Sequence, residues 1–455
     1  MPAVEEFGVE PIPAELRTVR WPELFALNFA FFLNPVMYVL GALAVADGGL
    51  PIWWAVAAMV AGQALAFALL VIVAQPGVDY GLPGQVAMRA TFGFWGARTL
   101  TSPYRMIAAT YWFAAQALAG ALGIQAIVLA ITGDHVSLVP VALGLGAFHA
   151  LLAVLGFDVM RYVVRVVLPV ALAFTGILVG LYLSSDDPRY AVGRVFHSPD
   201  QHLTWLGFAT YVTVSCGASL TLVTSMADFC RYTPTRRDMR IGLGASALLS
   251  AAVTTFVGGY AAAATGQLNP FIAVSELTGS NVLLALLLVA IVVQGLAANI
   301  SNVYTGGLSL VNTVPRLGRF RATVLVAACA LVLAGFPDVI EEAQKWIVHL
   351  GNVAAPLTGV VLADYLVVKH TTLDVPALFD PAGRYRFFHG VNVPAVLAVA
   401  GGVALYYALP ADFLKVVWGV SAGAIGYLAL ARIWAAVVPV PARTGRIAPP
   451  SEVGS

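Results

Sequence analysis

Twelve long apolar stretches dominate this sequence and restrict its fold more than any other feature. A helix needs about 20 mostly apolar residues to cross the hydrocarbon core of a bilayer. With 60% hydrophobic and only 10% charged residues, the chain also has too few charges to cover a water-soluble surface. We therefore predict an all-α polytopic membrane protein with 12 transmembrane helices. The predicted spans are 24–45, 52–74, 104–131, 137–156, 166–184, 204–225, 241–264, 281–311, 322–336, 345–363, 390–408 and 412–435.

The positions of Lys and Arg predict how the spans are oriented. With the N-terminus inside, 20 of the 24 basic residues lie on inner segments. This is the asymmetry that the positive-inside rule requires. We expect a multi-pass protein of the cell membrane with both termini cytosolic, in which tails at 1–20 and 436–455 flank one transmembrane domain over 21–435. The four outer basic residues are Arg189, Arg194, Lys345 and Lys415.

Charge and cysteine content exclude several classes of protein. The net charge of +1 provides no field to attract nucleic acid. Cys216, Cys230 and Cys329 lie in or beside apolar segments without the spacing of metal ligands, so we expect neither disulfides nor a metal centre. The chain also lacks paired mid-membrane carboxylates, an HExxH motif and a phosphate-binding loop. We expect no cofactor and no enzymatic activity, although a polytopic lipid-linked transferase is one alternative.

Two spans contain interruptions near their centres. In the first span, Asn34-Pro35 removes a backbone donor, which is tolerated at membrane depth only inside protein or beside a cavity. The alternative interpretation is a simple proline kink together with a seam for helix packing. In the sixth span, a run of small residues is a candidate for unwinding and backbone contact with a substrate: Ser215, Cys216, Gly217, Ala218 and Ser219.

The spacing of these interruptions indicates an internal repeat. The first and sixth spans are five apart, as expected if two inverted repeats of five spans place their broken helices together around a substrate. The repeats would cover about 24–184 and 204–363, and two peripheral helices would follow over 390–435.

Polar residues at membrane depth are costly and usually mark a pathway. Trp112 and Gln116 lie four apart on one helical face, where an indole and an amide suit a planar, hydrogen-bonding ring. Asn299, Ser301 and Asn302 make the eighth span too polar for exposure to lipid. Packing between helices is the alternative for both sets.

Asp228 and Arg231 follow the sixth span near its inner end. They are candidates for an inner gate. A plain ion pair at the surface is the alternative.

Five segments together resemble the nucleobase–cation symporter-1 family, in particular its cytosine and purine permease branch. The resemblance extends over about residues 15–435. It is carried by YGLPGQVAMRATFGFWG (80–96), YWFAAQ (111–116), MADFCRYTPTRRD (226–238), NISNVYTGGLSLVN (299–312) and the long segment ADYLVVKHTTLDVPALFDPAGRYRFFHGVN (363–392).

The resemblance implies a leucine-transporter-type fold and alternating-access uptake of a nucleobase or related ring by cation symport. By the same resemblance, Trp112 would stack on the ring, Gln116 would hydrogen-bond it, and the polar residues of the eighth span would contact its edge. The unwound part of the sixth span would contribute backbone groups.

The chain departs from the family pattern in two places. Some members place a second aromatic residue in the sixth span, and here Phe32 or Tyr211 would have to replace it. Sodium-coupled members carry adjacent hydroxyl residues in the eighth span. One alignment puts Ala297-Ala298 there and another puts Val293-Gln294, so the usual sodium site is degraded. His349 is the remaining candidate for proton coupling, and an ordinary histidine that hydrogen-bonds between helices is the alternative. The coupling cation (H⁺ or Na⁺) stays open.

Two other transport functions remain as alternatives to nucleobase import. The same fold would suit another small solute, such as an amino acid, a hydantoin or allantoin, or a vitamin. A passive facilitator is also consistent with the degraded sodium site. The sequence leaves the particular ring, the oligomeric state and the preferred conformation undetermined.

Overall fold

The computed structural model describes residues 7–154, 157–198 and 201–437. Regular structure in these ranges is helical apart from one isolated bridge between Phe388 and Val391. Every predicted span coincides with a helix, which confirms the all-α prediction. Eight described helices are long and apolar enough to cross a membrane, and a bent pair makes a ninth. Most of the predicted C-terminal tail, 438–455, lies outside the described residues, as do residues 1–6.

The first five spans contain nine helices and begin with a broken one. Asn34 caps the second helix, because its Oδ1 accepts from the backbone N of Met37 at 3.0 Å, and Pro35 starts that helix where no backbone donor is needed. The two halves of the span meet at 61°. The helices are α1 (Trp21–Phe32), α2 (Pro35–Ala46), α3 (Ile52–Val73), α4 (Gln75–Tyr80), α5 (Gly84–Phe92), α6 (Phe94–Gly96), α7 (Ser102–Thr132), α8 (Leu138–Ala153) and α9 (Phe157–Leu183).

The rest of the chain forms spans six to ten and two peripheral helices. Short helices in the connections separate the spans. The helices are α10 (Val192–Phe196), α11 (Trp205–Leu220), α12 (Met226–Cys230), α13 (Arg236–Thr265), α14 (Pro270–Ser275), α15 (Asn281–Thr313), α16 (Gly318–Ala334), α17 (Asp338–Glu341), α18 (Ala343–Ala363), α19 (Val375–Phe379), α20 (Val393–Ala408) and α21 (Lys415–Val437).

The sixth span breaks later than its sequence predicts. Residues 215–219 remain helical within α11, and the chain leaves the helix at 221–225 before α12 begins. The small residues serve close packing instead: Ser215 Oγ donates to the carbonyl of Met59 at 2.7 Å, and Ser219 Oγ donates to Gln63 Oε1 at 2.5 Å. These small residues therefore pack against α3 as part of a continuous helix.

Glycines allow several helices to touch along their backbones. A Cβ on Gly258 of α13 would lie 2.0 Å from the carbonyl oxygen of Tyr38 on α2. A Cβ on Gly62 of α3 would lie 2.4 Å from the carbonyl oxygen of Val212 on α11. These contacts leave no room for a side chain, as is common where small residues bring membrane helices together. They join α2 to α13 and α3 to α11.

Candidate substrate site

A small buried cavity lies where the breaks of spans one and six meet α7 and α15. It leaves about 20 Å³ for the centres of water molecules, which is room for one or two waters. A planar ring therefore requires the surrounding helices to move apart. The cavity is lined by Phe31, Phe32, Asn34, Met37, Trp112, Gln116, Ala218, Thr221, Leu222 and Asn302.

Trp112 places an indole ring in the wall of this cavity. Its Nε1 donates to Thr221 Oγ1 at 3.1 Å, and Thr221 in turn donates to the carbonyl of Ala218 at 2.6 Å. Tyr111 packs against the indole edge-on, with ring centroids 5.5 Å apart. Because the indole N–H is already bonded, Trp112 offers a substrate its aromatic face and not its donor.

Gln116 lies one helical turn beyond Trp112 and contacts the broken first span. The backbone N of Val36, in the first turn of α2, donates to Gln116 Oε1 at 3.4 Å. Such N–H groups lack partners within their own helix. Asn34 is occupied locally, since its Nδ2 donates to the carbonyl of Phe31 at 2.6 Å and its Oδ1 caps α2. Asn34 therefore shapes the break and presents little free hydrogen-bonding capacity to a ligand.

Asn302 on α15 is held by a buried arginine. Arg105 lies on α7, two turns before Trp112, and is 0% exposed. Its Nη2 donates to Asn302 Oδ1 at 3.0 Å and to Thr305 Oγ1 at 2.7 Å. Arg105 is one of the 20 basic residues on the predicted inner segments, and its seven-residue spacing from Trp112 indicates a shared helical face.

The other predicted residues of α15 point elsewhere. Asn299 Nδ2 lies 2.9 Å from Nδ1 of His149 on α8, a side chain that is itself fully buried. Ser301 Oγ donates to the carbonyl of Ala297 at 2.8 Å. Of the three polar residues predicted in this span, Asn302 is the one that lines the cavity.

A second cavity of similar size adjoins the first across Phe32, Met37 and Ala218. Ser215 and Ser219 line it. Gly217 packs against α18, where its added Cβ would lie 3.4 Å from the Cα of Gly351. Cys216, Cys230 and Cys329 are free thiols, of which Cys216 and Cys230 are fully buried and Cys329 is exposed.

Phe32 and Tyr211, the two candidates for a second aromatic contact with the ring, lie in different places. Phe32 lines both cavities, where it packs edge-on against Phe67 at 5.7 Å between centroids. Tyr211 donates its hydroxyl to Asp47 Oδ2 at 2.8 Å, near the other end of α2. The geometry therefore favours Phe32 as the second ring.

Asp228 and Arg231 lie in a tightly packed closure between the end of span six and the segment that precedes α1. Both side chains are buried, at 1% and 0% exposure, so they do not form an exposed surface pair. Asp228 Oδ1 accepts from the backbone N of Gly84 at 2.7 Å. Arg231 donates to the carbonyl of Gly8 at 3.0 Å and to the hydroxyl of Tyr304 at 2.7 Å.

The segment before α1 packs into the same closure. The backbone N of Val19 donates to the carbonyl of Tyr232 at 2.9 Å, and Arg17 Nη1 donates to the carbonyl of Val78 at 3.0 Å. Burial lowers the pKa of Arg17, an effect that nearby Asp79 and Glu15 oppose. The N-terminal segment thus bridges α4 and the residues that follow α12.

No group of three or more His, Cys, Asp or Glu side chains suited to a metal ion occurs within the described ranges. His349 is exposed, and its Nδ1 lies 2.7 Å from the hydroxyl of Tyr407, between α18 and α20. This position is peripheral to the cavity.

Residues 11–430 match the sequence profile of a family described as permeases for cytosine/purines, uracil, thiamine and allantoin. Among characterised relatives, a hydantoin permease of Microbacterium maritypicum is 24% identical over 87% of this chain and 82% of its own length. An allantoin permease of Bacillus subtilis is 24% identical over 93% and 92%. A purine-uracil permease of Arabidopsis thaliana is 26% identical over 88% and 71%.

The fold matches a solved transporter structure over almost its whole length. Mhp1, a nucleobase-cation-symport-1 family transporter in a closed conformation with bromovinylhydantoin bound, superposes with a TM-score of 0.83. The match covers 96% of this chain and 97% of that one at 21% identity. The predicted leucine-transporter-type fold, with two repeats of five spans and two peripheral helices, is thereby confirmed.

Proposed function

This chain belongs to the nucleobase–cation symporter-1 family, and on that premise we propose that it imports a planar nitrogen heterocycle by secondary active transport. The substrate is a nucleobase or a related ring such as a hydantoin or allantoin. The observation that carries the proposal is the buried cavity in which the face of Trp112 meets the amides of Gln116 and Asn302. The curated relatives are permeases, which supports transport and not catalysis.

Stacking on Trp112 is the contact that distinguishes a ring from other small solutes. Stacking of a base on an aromatic side chain contributes about 1–3 kcal/mol. Phe32 supplies a second aromatic wall, and Gln116 and Asn302 supply amides at the ring's edge. An aliphatic amino acid would leave this surface largely unused, and the cavity has no carboxylate side chain to pair with an ammonium group.

Alternating access would proceed by movement of the helices around this cavity. The ring would contact both repeats, the first through the break in span one and the second through the end of α11. Its binding therefore favours a state that is closed on both sides of the membrane. Release to the cytosol then requires the closure around Arg231 to open. We place both termini on the cytosolic face of the cell membrane, in agreement with the distribution of basic residues.

The coupling cation is H⁺ or Na⁺. Sodium prefers oxygen ligands, and Ala297 and Ala298 provide no side-chain oxygen. The carbonyl of Ala297 also already accepts from Ser301 Oγ. These residues do not fit the hydroxyl-containing sodium site of the family, and we assign no ion to that position. A passive facilitator is the second candidate, favoured by this same lack of hydroxyl ligands.

Uptake into proteoliposomes tests the proposal. Labelled uracil, cytosine, hypoxanthine, adenine, hydantoin and allantoin are offered under a sodium gradient, a proton gradient or no gradient. We expect at least one ring to accumulate above its external concentration under one gradient. Equilibration without accumulation would indicate the facilitator, and no uptake of any ring would refute the assignment.

A matched pair of variants tests the site itself. Trp112→Ala removes the stacking surface and is expected to weaken ring binding by roughly 5- to 150-fold, from about 1–3 kcal/mol at 1.4 kcal/mol per tenfold. Trp418→Ala removes a half-exposed indole from the peripheral helix α21 and is expected to leave uptake unchanged. Equal losses in both variants would contradict the role of Trp112.

A further inference from the structure

The amides that line the cavity have fixed orientations, and those orientations specify the kind of ring edge they accept. An amide side chain has one accepting oxygen and one donating NH₂ group. Its partner determines which of the two faces a ligand. In this site, the partners of Asn302 and Gln116 are groups that can only donate.

Arg105 fixes Asn302. A guanidinium has five donors and no acceptor, so the oxygen of Asn302 must face Arg105 Nη2, 3.0 Å away. Thr305 Oγ1 accepts from the same guanidinium and donates to the carbonyl of Ser301 at 2.9 Å. The NH₂ group of Asn302 is left for the cavity, and it makes no other hydrogen bond to the described part of the chain. Both Arg105 and Asn302 are almost fully buried, so water does not compete for this contact.

Val36 fixes Gln116 in the same sense. The donor is a backbone N–H in the first turn of α2, so Gln116 Oε1 must face it and its NH₂ group turns away. The oxygen of Asn34 is likewise turned away from the cavity, because Met37 N donates to its Oδ1. Each amide oxygen around the cavity is therefore turned towards a protein donor.

We propose that this transporter selects rings with carbonyl oxygens at the contacted edge over rings with an exocyclic amino group there, and that Arg105 imposes this preference by holding Asn302 as a donor. The preferred class is the oxo-substituted heterocycle, of the uracil, hypoxanthine or hydantoin type. The inference rests on the proposed function and narrows its substrate. Arg105 acts here as a positioning residue.

The size of the preference follows from the missing acceptor. An amino group brought into the cavity loses its water and meets the NH₂ groups of the amides, because each amide oxygen is turned towards its protein donor. A buried donor without a partner weakens binding by roughly 5- to 150-fold. Uracil and cytosine differ in the exocyclic group at C4 and in the neighbouring N3, which carries a proton in uracil and a lone pair in cytosine. Hypoxanthine and adenine differ in the same way at C6 and N1. The expected ratio of dissociation constants within either pair lies in that range.

Calorimetric titration of the purified transporter with these four rings tests the proposal. We expect the oxo ring of the better-bound pair to bind more tightly than its amino counterpart. Equal affinity, or tighter binding of cytosine or adenine, would overturn the inference while leaving the proposed function intact. Failure of all four rings and of hydantoin to bind would overturn the proposed function and this inference together.

Two substitutions reverse the polarity of the site. Asn302→Asp retains an oxygen for Arg105 and replaces the NH₂ group facing the cavity with an acceptor. The ratio of oxo to amino affinity is expected to fall by at least fivefold. Gln116→Glu makes the same change on the opposite wall and serves if Asn302→Asp does not yield folded protein. A folded variant of either kind that retains the wild-type ratio would overturn the proposal.

A matched control lies farther along α15. Arg89 Nε donates to Asn312 Oδ1 at 3.0 Å, so Asn312→Asp alters another arginine-held amide, one outside the cavity lining. Burial and neighbouring Arg98 lower the pKa of Arg89 to about 10, which leaves it charged at neutral pH. Asn312→Asp is expected to keep the wild-type ratio. Arg105→Gln, which frees Asn302 to rotate, should bring the ratio towards one, and an unchanged ratio would contradict the role of Arg105.

Discussion

Removal of the Arg231 side-chain charge should open the N-terminal end of the transporter. Arg231 donates to the carbonyls of Gly8 at 3.0 Å and Phe7 at 3.3 Å, and to the hydroxyl of Tyr304 at 2.7 Å. These contacts hold the segment before α1 and the helix α15 to the end of span six. Arg231→Met keeps a long apolar side chain but removes every donor.

The size of the effect follows from these contacts. A hydrogen bond to a charged group contributes about 1.5–3 kcal/mol net. The weaker 3.3 Å contact adds little, so the two shorter contacts at the low end of this range give about 3 kcal/mol. At 1.4 kcal/mol per tenfold, the ratio of closed to open molecules falls by about a hundredfold.

The rate at which the Cys230 thiol is labelled reports this opening, because Cys230 adjoins Arg231 and is fully buried. In a background with Cys216→Ala and Cys329→Ala, a membrane-impermeant maleimide is added to the cytosolic face of inside-out vesicles. When opening and closing are fast relative to modification, the labelling rate follows the open population. We expect Arg231→Met to raise that rate by about a hundredfold.

Arg237→Met is the control for this experiment, since Arg237 is a nearby exposed arginine at the start of α13. It should leave Cys230 protected. If Arg231→Met is labelled as slowly as the wild-type background, Arg231 does not hold this end closed and the reasoning fails. Rapid labelling in both variants would attribute the effect to net charge.

Two further substitutions test the packing and the break. Gly258→Ala should destabilise the protein by about 1–3 kcal/mol, because its Cβ would lie 2.0 Å from the carbonyl oxygen of Tyr38. Gly244→Ala on the same helix is the control. Its Cβ meets no atom within 4 Å, so the substitution should be neutral or stabilising in thermal unfolding. Asn34→Ala removes the cap that Met37 N uses and should cost about 1 kcal/mol, with Asn34→Asp retaining most of that stability in the same assay. A lower melting temperature for Gly244→Ala than for Gly258→Ala, or an unchanged one for Asn34→Ala, would contradict these accounts.

The membrane itself explains why so much of the fold was predictable. Every backbone group must be bonded internally within a bilayer, so long apolar stretches have only a few possible structures. The break at Asn34-Pro35 was equally readable, because proline lacks the donor that a continuous helix would use. These features depend on local sequence and on the solvent.

The break in span six was not predictable from the same information. A run of small residues such as 215–219 is typical both of unwinding and of close packing. The choice depends on α3, where Met59 and Gln63 accept the hydroxyls of Ser215 and Ser219. No local pattern contains that contact, so the predicted position was wrong by about one turn and a half.

The same limit applies to the candidate site. Trp112 and Gln116 follow from helical spacing, and the structure places both in the cavity wall. The choice of Asn302 over Asn299 depends on which face of α15 meets α7. Arg105 carried a signal in its spacing from Trp112, but its partner lies almost 200 residues away, at a sequence separation of 197.

The glycine contacts between helices have a mechanical consequence. Spans one and seven, and spans two and six, touch backbone to backbone at Gly258 and Gly62, where an added Cβ would collide with the neighbouring helix. Across the cavity, contact with α7 instead passes through the side chains of Trp112 and Gln116, which can rotate and exchange partners. The molecule thus combines close backbone contacts between two pairs of helices with a side-chain contact across the cavity, and the proposed substrate site lies at the side-chain contact. Helix movement concentrated at these side chains would directly change the contacts of a bound ring. The ring would then form part of the contact about which the two parts of the transporter move.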